Sequence, residues 1–217
     1  MSGADANHTN ENTNDKTMKR MLIALALFTS LQLISAQEKL SREEALAYAK
    51  AVSADAKQLN GTPIATDVDA AQPVALKDEN YGGMVLPQKG LKPETLAQAG
   101  KTAVPIGQLW LHKLTPMRDG EAVSRDNLRI VTVSAEGEEA TVPQCALAIR
   151  RNADGALELL VFGKGKEPLL TAALKPLDAT QSSPIDLEAE RDGDSGKLTL
   201  KILGKYQAKM SVTELEL

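Results

Sequence analysis

Few residues in this 217-residue chain have the type and spacing needed to carry out chemistry, and the first group is Trp110 with His112. Their side chains project to one face if this stretch is a strand, because side chains alternate along strands. An aromatic ring beside an imidazole could contact a ligand or supply a general base. No Gly-x-Ser-x-Gly motif accompanies His112, so a serine hydrolase triad has no positional support. We expect Trp110 to anchor the core of a sandwich and His112 to bond to water or a carbonyl at the strand end.

The second candidate is Cys145, the only cysteine in the chain. A single cysteine cannot form an intramolecular disulfide, so the hydrophobic core must supply the stability. On an apolar strand we predict that Cys145 is a buried small hydrophobe rather than a reactive thiol. Since His112 is the only histidine after residue 8, multi-histidine metal sites are excluded.

Two glycine-rich turns begin like ion-binding loops but do not complete them. Residues 192–196 place Asp192 and Asp194 two apart, as in a calcium loop, yet the twelfth position is the apolar Leu203 instead of a bidentate glutamate. Residues 163–166 combine glycines and lysines without the spacing of a phosphate-binding loop. We predict polar, solvated turns at both places.

Paired carboxylates are the last candidates, at Glu188 and Glu190. They alternate with Leu187 and Ala189, and the strand that follows carries lysines, which is typical of an exposed sheet face and not of an acid with a raised pKa. The sequence therefore identifies no catalytic residue, no metal ligand and no cofactor-binding residue, and we expect no cofactor.

The elements that must position these residues follow a predicted export signal. Lys19 and Arg20 precede the apolar residues 21–34, and Ala36 offers a cleavage point. As a helix the apolar run would reach roughly 21 Å, short of the ~30 Å hydrocarbon core. Residues 1–17 are rich in Asn and Thr and favour disorder.

Residues 1–36 are therefore interpreted as a disordered extension plus a signal peptide. Cleavage would leave a chain that begins at Gln37, with no transmembrane segment after it. We expect a secreted or periplasmic protein.

Residues 37–80 are predicted to form an N-terminal helix and an irregular linker. The helix should cover residues 40–59, with Ser41 and Glu44 as a capping box and Asn60-Gly61 as its stop. Residues 61–79 are rich in Pro, Asp, Ala and Thr without periodicity, which indicates a linker or a long irregular excursion.

Residues 81–217 are predicted to form a β-rich domain. Short alternating segments separated by turn dipeptides favour a mainly β fold, either an antiparallel β-sandwich or a partly open barrel, preceded by one N-terminal α-helix. A short helix at residues 92–100 is either a crossover or an insert between antiparallel strands. The best-specified hairpin turns at Asp154-Gly155 and should place Arg150 opposite Glu158. The predicted core contains Trp110, Leu147, Ile149, Leu159, Val161, Leu200 and Ile202.

The charge balance bears on the partner. With 25 basic and 29 acidic residues, a formal net charge of −4 and no basic cluster, nucleic acid is not expected as a partner. We predict a non-catalytic binding or structural module of the cell envelope or exterior that engages a protein, a glycan or an envelope surface. The alternative is a carboxylate-based secreted hydrolase. Two buried carboxylates about 5 to 10 Å apart in a cleft would favour this alternative.

Overall fold

The computed structural model of the protein describes residues 37–56, 64–78, 80–135 and 138–216. These residues form a mainly β structure of two antiparallel sheets that are not closed into a barrel. The predicted mainly β, antiparallel fold is therefore confirmed, and of the two predicted forms, a sandwich or a partly open barrel, the two sheets are consistent with the sandwich. The predicted signal at residues 1–36 lies outside the described residues.

The chain contributes strands to the two sheets in four runs. The helices are α1 (Arg42–Ala56) and α2 (Pro93–Gln98), with a short 3₁₀ turn at Arg125–Asn127. The strands are β1 (Glu38–Lys39), β2 (Val74–Lys77), β3 (Gly82–Pro87), β4 (Val104–His112), β5 (Leu114–Arg118), β6 (Glu121–Ala122), β7 (Arg129–Ala135), β8 (Glu138–Arg151), β9 (Leu157–Phe162), β10 (Leu170–Ala173), β11 (Lys175–Pro176), β12 (Ile185–Asp192), β13 (Ser195–Ile202) and β14 (Tyr206–Glu214).

β1–β4 and β7–β10 belong to the first sheet, and β5–β6 and β11–β14 to the second. The first sheet has the order β1-β2-β3-β4-β8-β9-β10, and β7 also pairs with β8. The second has the order β12-β13-β14-β5-β6, and β11 also pairs with β14. The inner faces share one buried cluster, which includes Leu109, Leu147, Leu187 and Leu200. No helix among the described residues is long and apolar enough to cross a membrane.

The hairpin of β8 and β9 has the predicted register. Arg150 lies opposite Glu158 and forms an ion pair with it, while Ile149 lies opposite Leu159. The turn is set by Asn152, whose Oδ1 accepts hydrogen bonds from the N–H groups of Asp154 (3.0 Å) and Ala156 (2.9 Å). Gly155 has φ 80°, a conformation that glycine adopts without steric cost.

The predicted core residues are all buried. Leu147, Ile149, Leu159, Val161, Leu200 and Ile202 are 0 % exposed and lie between the sheets. The predicted opposition of glutamates and lysines on the outer face of β12 and β13 is also observed, with an ion pair between Lys201 and Glu188.

Helix α1 lies on the outer face of the first sheet. It begins after Ser41, whose Oγ accepts a hydrogen bond from the Glu44 N–H at 3.3 Å, while Glu44 Oε2 accepts one from the Ser41 N–H at 3.1 Å. This is the predicted capping box. Small side chains such as Ala45 and Ala49 let the helix approach the sheet closely. Its predicted end at Leu59 lies outside the described residues.

The prediction of an irregular stretch at residues 61–79 is wrong for its last part. Val74–Lys77 form β2, which pairs with β1 on one side and β3 on the other. Four residues carry too little periodicity to show a strand, so its neighbours in the sheet decide its conformation. Helix α2 is an insert, because the strands that it joins, β3 and β4, are antiparallel neighbours.

A bulge in β4 depends on Gly107. The register between β4 and β8 shifts between Pro105 and Gly107, which inserts an extra residue. Gly107 has φ 154°, and a Cβ at this position would overlap the backbone oxygen of Leu86 on the neighbouring strand. Close approach of two backbones therefore requires glycine here.

We expect Gly107→Ala to lower the free energy of unfolding by about 1 to 3 kcal/mol, because the methyl group forces β3 and β4 apart. Gly100→Ala is the matched control, since a Cβ there has no heavy atom within 4 Å, and it should change stability by about 0.5 kcal/mol or less. Urea unfolding measures both. Equal midpoints for the two variants would show that the bulge tolerates a side chain.

Candidate functional site

Trp110 lies on the outer face of the first sheet. Its side chain is 3 % exposed and belongs to a cluster with Met84, Leu86 and Ala49 of helix α1. The expectation of burial is correct, but the expected place in the core between the sheets is wrong. Helix α1 covers the outer face of β4, so both faces of this strand are apolar and its alternation does not show which one faces the other sheet.

A buried amide network surrounds the indole and was not found by sequence reasoning. Trp110 Nε1–H donates to Gln108 Oε1 at 3.2 Å, and Gln144 Nε2 donates to the same oxygen at 3.1 Å. Gln108 Nε2 in turn donates to Thr66 Oγ1 at 2.7 Å. The network therefore ties Thr66 to the outer face of the sheet. Because amides do not titrate near neutral pH, it offers no acid or base. The sequence signal was a glutamine inside an apolar strand.

His112 and Cys145 do not form a site together. His112 ends β4 and is half-buried, and burial followed by the charge of Lys113 lowers its pKa. Cys145 is fully buried in the core between the sheets, where burial raises the pKa of its thiol to about 12. The thiol is therefore protonated at neutral pH, and the prediction of a buried small hydrophobe is confirmed.

The acidic turn at residues 192–196 connects the paired strands β12 and β13. Asp192 forms an ion pair with Lys197 at 2.6 Å, and the Ser195 hydroxyl donates to the Asp192 carbonyl at 2.9 Å. Gly193 adopts φ 63° to close the turn. Among the described residues no group of three or more His, Cys, Asp and Glu side chains could hold a metal ion.

The other two candidates are surface features. Of the predicted solvated turn at residues 163–166, residues 164–166 are exposed after β9, whereas Gly163 is buried. Glu188 and Glu190 are exposed on the outer face of β12. Wherever the structure describes an aspartate or glutamate side chain, that side chain is at least partly exposed, so this part of the chain offers no buried carboxylate pair.

The backbone hydrogen-bonding groups along one edge of β14 are the next feature of interest. Backbone groups alternate in direction along a strand, so a bond at one residue shows which side every second residue faces. Near the C-terminal end of β14, the Leu215 N–H donates to the Lys113 carbonyl at 2.9 Å, so the odd-numbered residues face β5 and β11. At the other end the Leu177 N–H donates to the Lys205 carbonyl at 2.7 Å. These two bonds fix which residues point outward along the whole strand.

The middle of this side is only partly paired with described strands. β11 pairs with β14 only at Tyr206 and Gln207, and β5 pairs with it only at Val212–Glu214. Lys209 lies between these ladders, so neither β11 nor β5 bonds to the N–H and C=O groups that it directs outward. At Ser211 the ladder with β5 ends: because Pro116 has no N–H, its pairing with Val212 places the Met117 N–H on the Ser211 carbonyl, while the Ser211 N–H has no partner in either ladder. The edge therefore offers two hydrogen-bond donors and one acceptor.

A groove of about 480 Å³ opens beside these groups, and we call it the open seam. One wall is β10, which is the last strand of the first sheet. The other is formed by the end of β5 and the middle of β14, where the pairing of these two strands stops. The lining residues of the open seam are Met117, Arg118, Asp119, Pro168, Leu169, Leu170, Thr171, Ala172, Lys209, Met210 and Ser211.

The open seam combines an apolar floor with a charged rim. Leu169, Leu170 and Met210 are buried, whereas Arg118 and Lys209 are exposed. Neither cation forms an ion pair with a described residue, in contrast to the lysines of β13. The rim can therefore receive a negatively charged group without breaking a pair already made.

A second, smaller cleft of about 310 Å³ lies between the start of helix α1 and Ser182-Ser183. Lys39 and Arg42 line it. Lys39 already forms an ion pair with Asp186, so this cleft has less unpaired positive charge than the open seam.

The sequence contains only indirect signs of the open seam. Asp119 and Gly120 both have positive φ, 55° and 86°, and form the tight turn between β5 and β6. β6 pairs with β5 on the side that faces away from β14. The turn was predictable from the Asp-Gly dipeptide. The partial pairing of β5 with β14 could not be predicted, because the two strands are almost a hundred residues apart along the chain.

The acidic turn provides a test of the absence of a calcium site. We expect Asp192→Ala and Asp194→Ala to change the free energy of unfolding by about 0.5 kcal/mol or less, because the turn is exposed. The wild-type melting temperature should not rise with added calcium. A calcium-dependent rise that both variants abolish would instead establish a metal site.

No family model, curated protein or solved structure matches this chain. Its function is therefore derived from the geometry of the described residues.

Proposed function

We propose that this protein is an exported, non-catalytic binding module of the cell envelope or exterior, and that it binds its partner at the open seam. Export is supported by the order of three features at positions 19–36: two basic residues, then an apolar run, then a small residue at the cleavage point. A β-sandwich hosts many functions, so the fold alone does not choose among them. The choice depends on the open seam.

The observation that carries the proposal is the unpaired edge at Lys209 and Ser211. Unpaired backbone groups on a strand invite another chain, and proteins usually cover or charge such edges. Here the edge borders a groove whose volume lies within the ~300–1,000 Å³ typical of ligand sites. An edge that stays open beside a groove of this size suits a binding site.

The hydrolase alternative receives no comparable support. Its acid and base would have to converge as buried carboxylates. Of the carboxylates considered in the sequence, Glu188, Glu190, Asp192 and Asp194 are all exposed, and Glu188 and Asp192 pair with lysines. We therefore carry forward only the binding module.

A photo-crosslinking amino acid tests the proposed site in cells that export the protein. Placed at Thr171 or at Asp119, which both line the open seam, it should yield the same discrete adduct. Placed at Asp154, an equally exposed position at the tip of the β8–β9 hairpin, it should yield none. N-terminal sequencing of the exported adduct should begin at or near Gln37.

Adducts of equal yield at all three positions would contradict binding at the open seam. An uncleaved chain that stays in the cytosol would contradict export. The two outcomes are independent, so each part of the proposal can fail separately.

A further inference from the structure

We infer that the open seam binds an extended peptide with acidic side chains, which adds to β14 as a further strand. This inference rests on the proposed function, because it names the class of partner for the same site. It departs from that proposal in specifying both the backbone geometry and the charge of the ligand.

The backbone of β14 has the spacing that strand addition requires. Lys209 and Ser211 are two residues apart, so their outward groups repeat with the period at which one strand pairs with another. The unpaired length, residues 208–210, spans roughly 10 Å at about 3.3 Å per residue. An extended peptide of about three residues can therefore exchange hydrogen bonds with the Lys209 N–H and C=O groups and with the Ser211 N–H, as in recognition by β-augmentation.

The charges select the side chains of that peptide. Arg118 and Lys209 flank the groove without ion pairs to described residues, and Asp119 is the one acidic side chain in the lining. Acidic side chains of a bound strand would pair with the two cations, whereas lysines would be repelled. The buried Leu170 and Met210 beneath them can accept small apolar groups from the opposite face of the strand.

Two other occupants fit less well. A second copy of this chain, related by a two-fold axis, would bring Lys209 and Arg118 against the same residues of its partner. Like charges placed in this way disfavour association. A glycan would find no aromatic ring among the lining residues on which to stack.

The test uses ¹⁵N-labelled full chain and three synthetic six-residue peptides with blocked ends. The first alternates Thr and Glu, the second alternates Thr and Lys, and the third is the Thr-Glu peptide with N-methyl groups on alternate residues. We expect the Thr-Glu peptide to shift the amide resonances of Lys209 and Ser211 most. Its Kd should be at least tenfold lower than those of the other two peptides, because they lack either the matching charge or the backbone donors.

Variants of the protein provide matched controls. Ser211→Pro removes an outward N–H, while Ser211→Ala keeps it, so the Pro variant should bind the Thr-Glu peptide at least tenfold more weakly than the Ala variant. Should the Pro variant not fold, the N-methylated peptide tests the same hydrogen bonds from the ligand side. Arg118→Glu with Lys209→Glu should reverse the preference between the Glu and Lys peptides, and Lys101→Glu, outside the open seam, should not.

Equal binding of the normal and N-methylated Thr-Glu peptides would overturn strand addition. Equal binding of the Glu and Lys peptides, shifts centred away from β14, or no shifts at millimolar peptide would overturn the inference as well. If the crosslinks at Thr171 and Asp119 are nevertheless obtained, the protein binds a partner at the open seam, and only the class of ligand is wrong.

Discussion

The pairing of β4 with β8 is the constraint on which the rest of the structure depends, because where they pair the two strands are largely buried on both faces. On the inner face, Leu109 and Leu147 join the core between the sheets. On the outer face, Trp110 and the amides of Gln108 and Gln144 lie beneath helix α1 and residues 64–72. Full burial of one large apolar side chain stabilises by about 1.5 to 3 kcal/mol, so slippage of this pair would cost a large part of the total stability.

The open seam follows from the path that the chain takes away from this pair. The strand after β8 is β9, then β10 ends the first sheet, and the chain crosses at Leu174 to form β11 in the second. β11 is two residues long and occupies only one end of β14. β5 occupies the other end and then turns onto β6 at Asp119-Gly120. The two partners of β14 thus leave its centre unpaired, although the strand itself is continuous.

Local chemistry determined which parts of the fold could be predicted from the sequence. The β8–β9 register was predictable because the Asp154-Gly155 turn and the alternation of both strands agree on one pairing. The capping box of Ser41 and Glu44 was predictable for the same reason. By contrast, three features depend on contacts between distant parts of the chain. They are the existence of β2, the face of the sheet on which Trp110 lies, and the open seam. None of them could be inferred from residue types within a short window.

Hydrogen exchange of the backbone amides of β14 tests the central claim most directly, because protection should alternate along the strand. Met210 and Val212 direct their N–H groups toward β13, and they should exchange slowly. Lys209 and Ser211 alternate with them and have N–H groups that face the open seam, so they should exchange much faster in the absence of a partner. Equally strong protection at all four amides would contradict the account, because the edge would then be paired and the open seam would offer no free strand to a ligand.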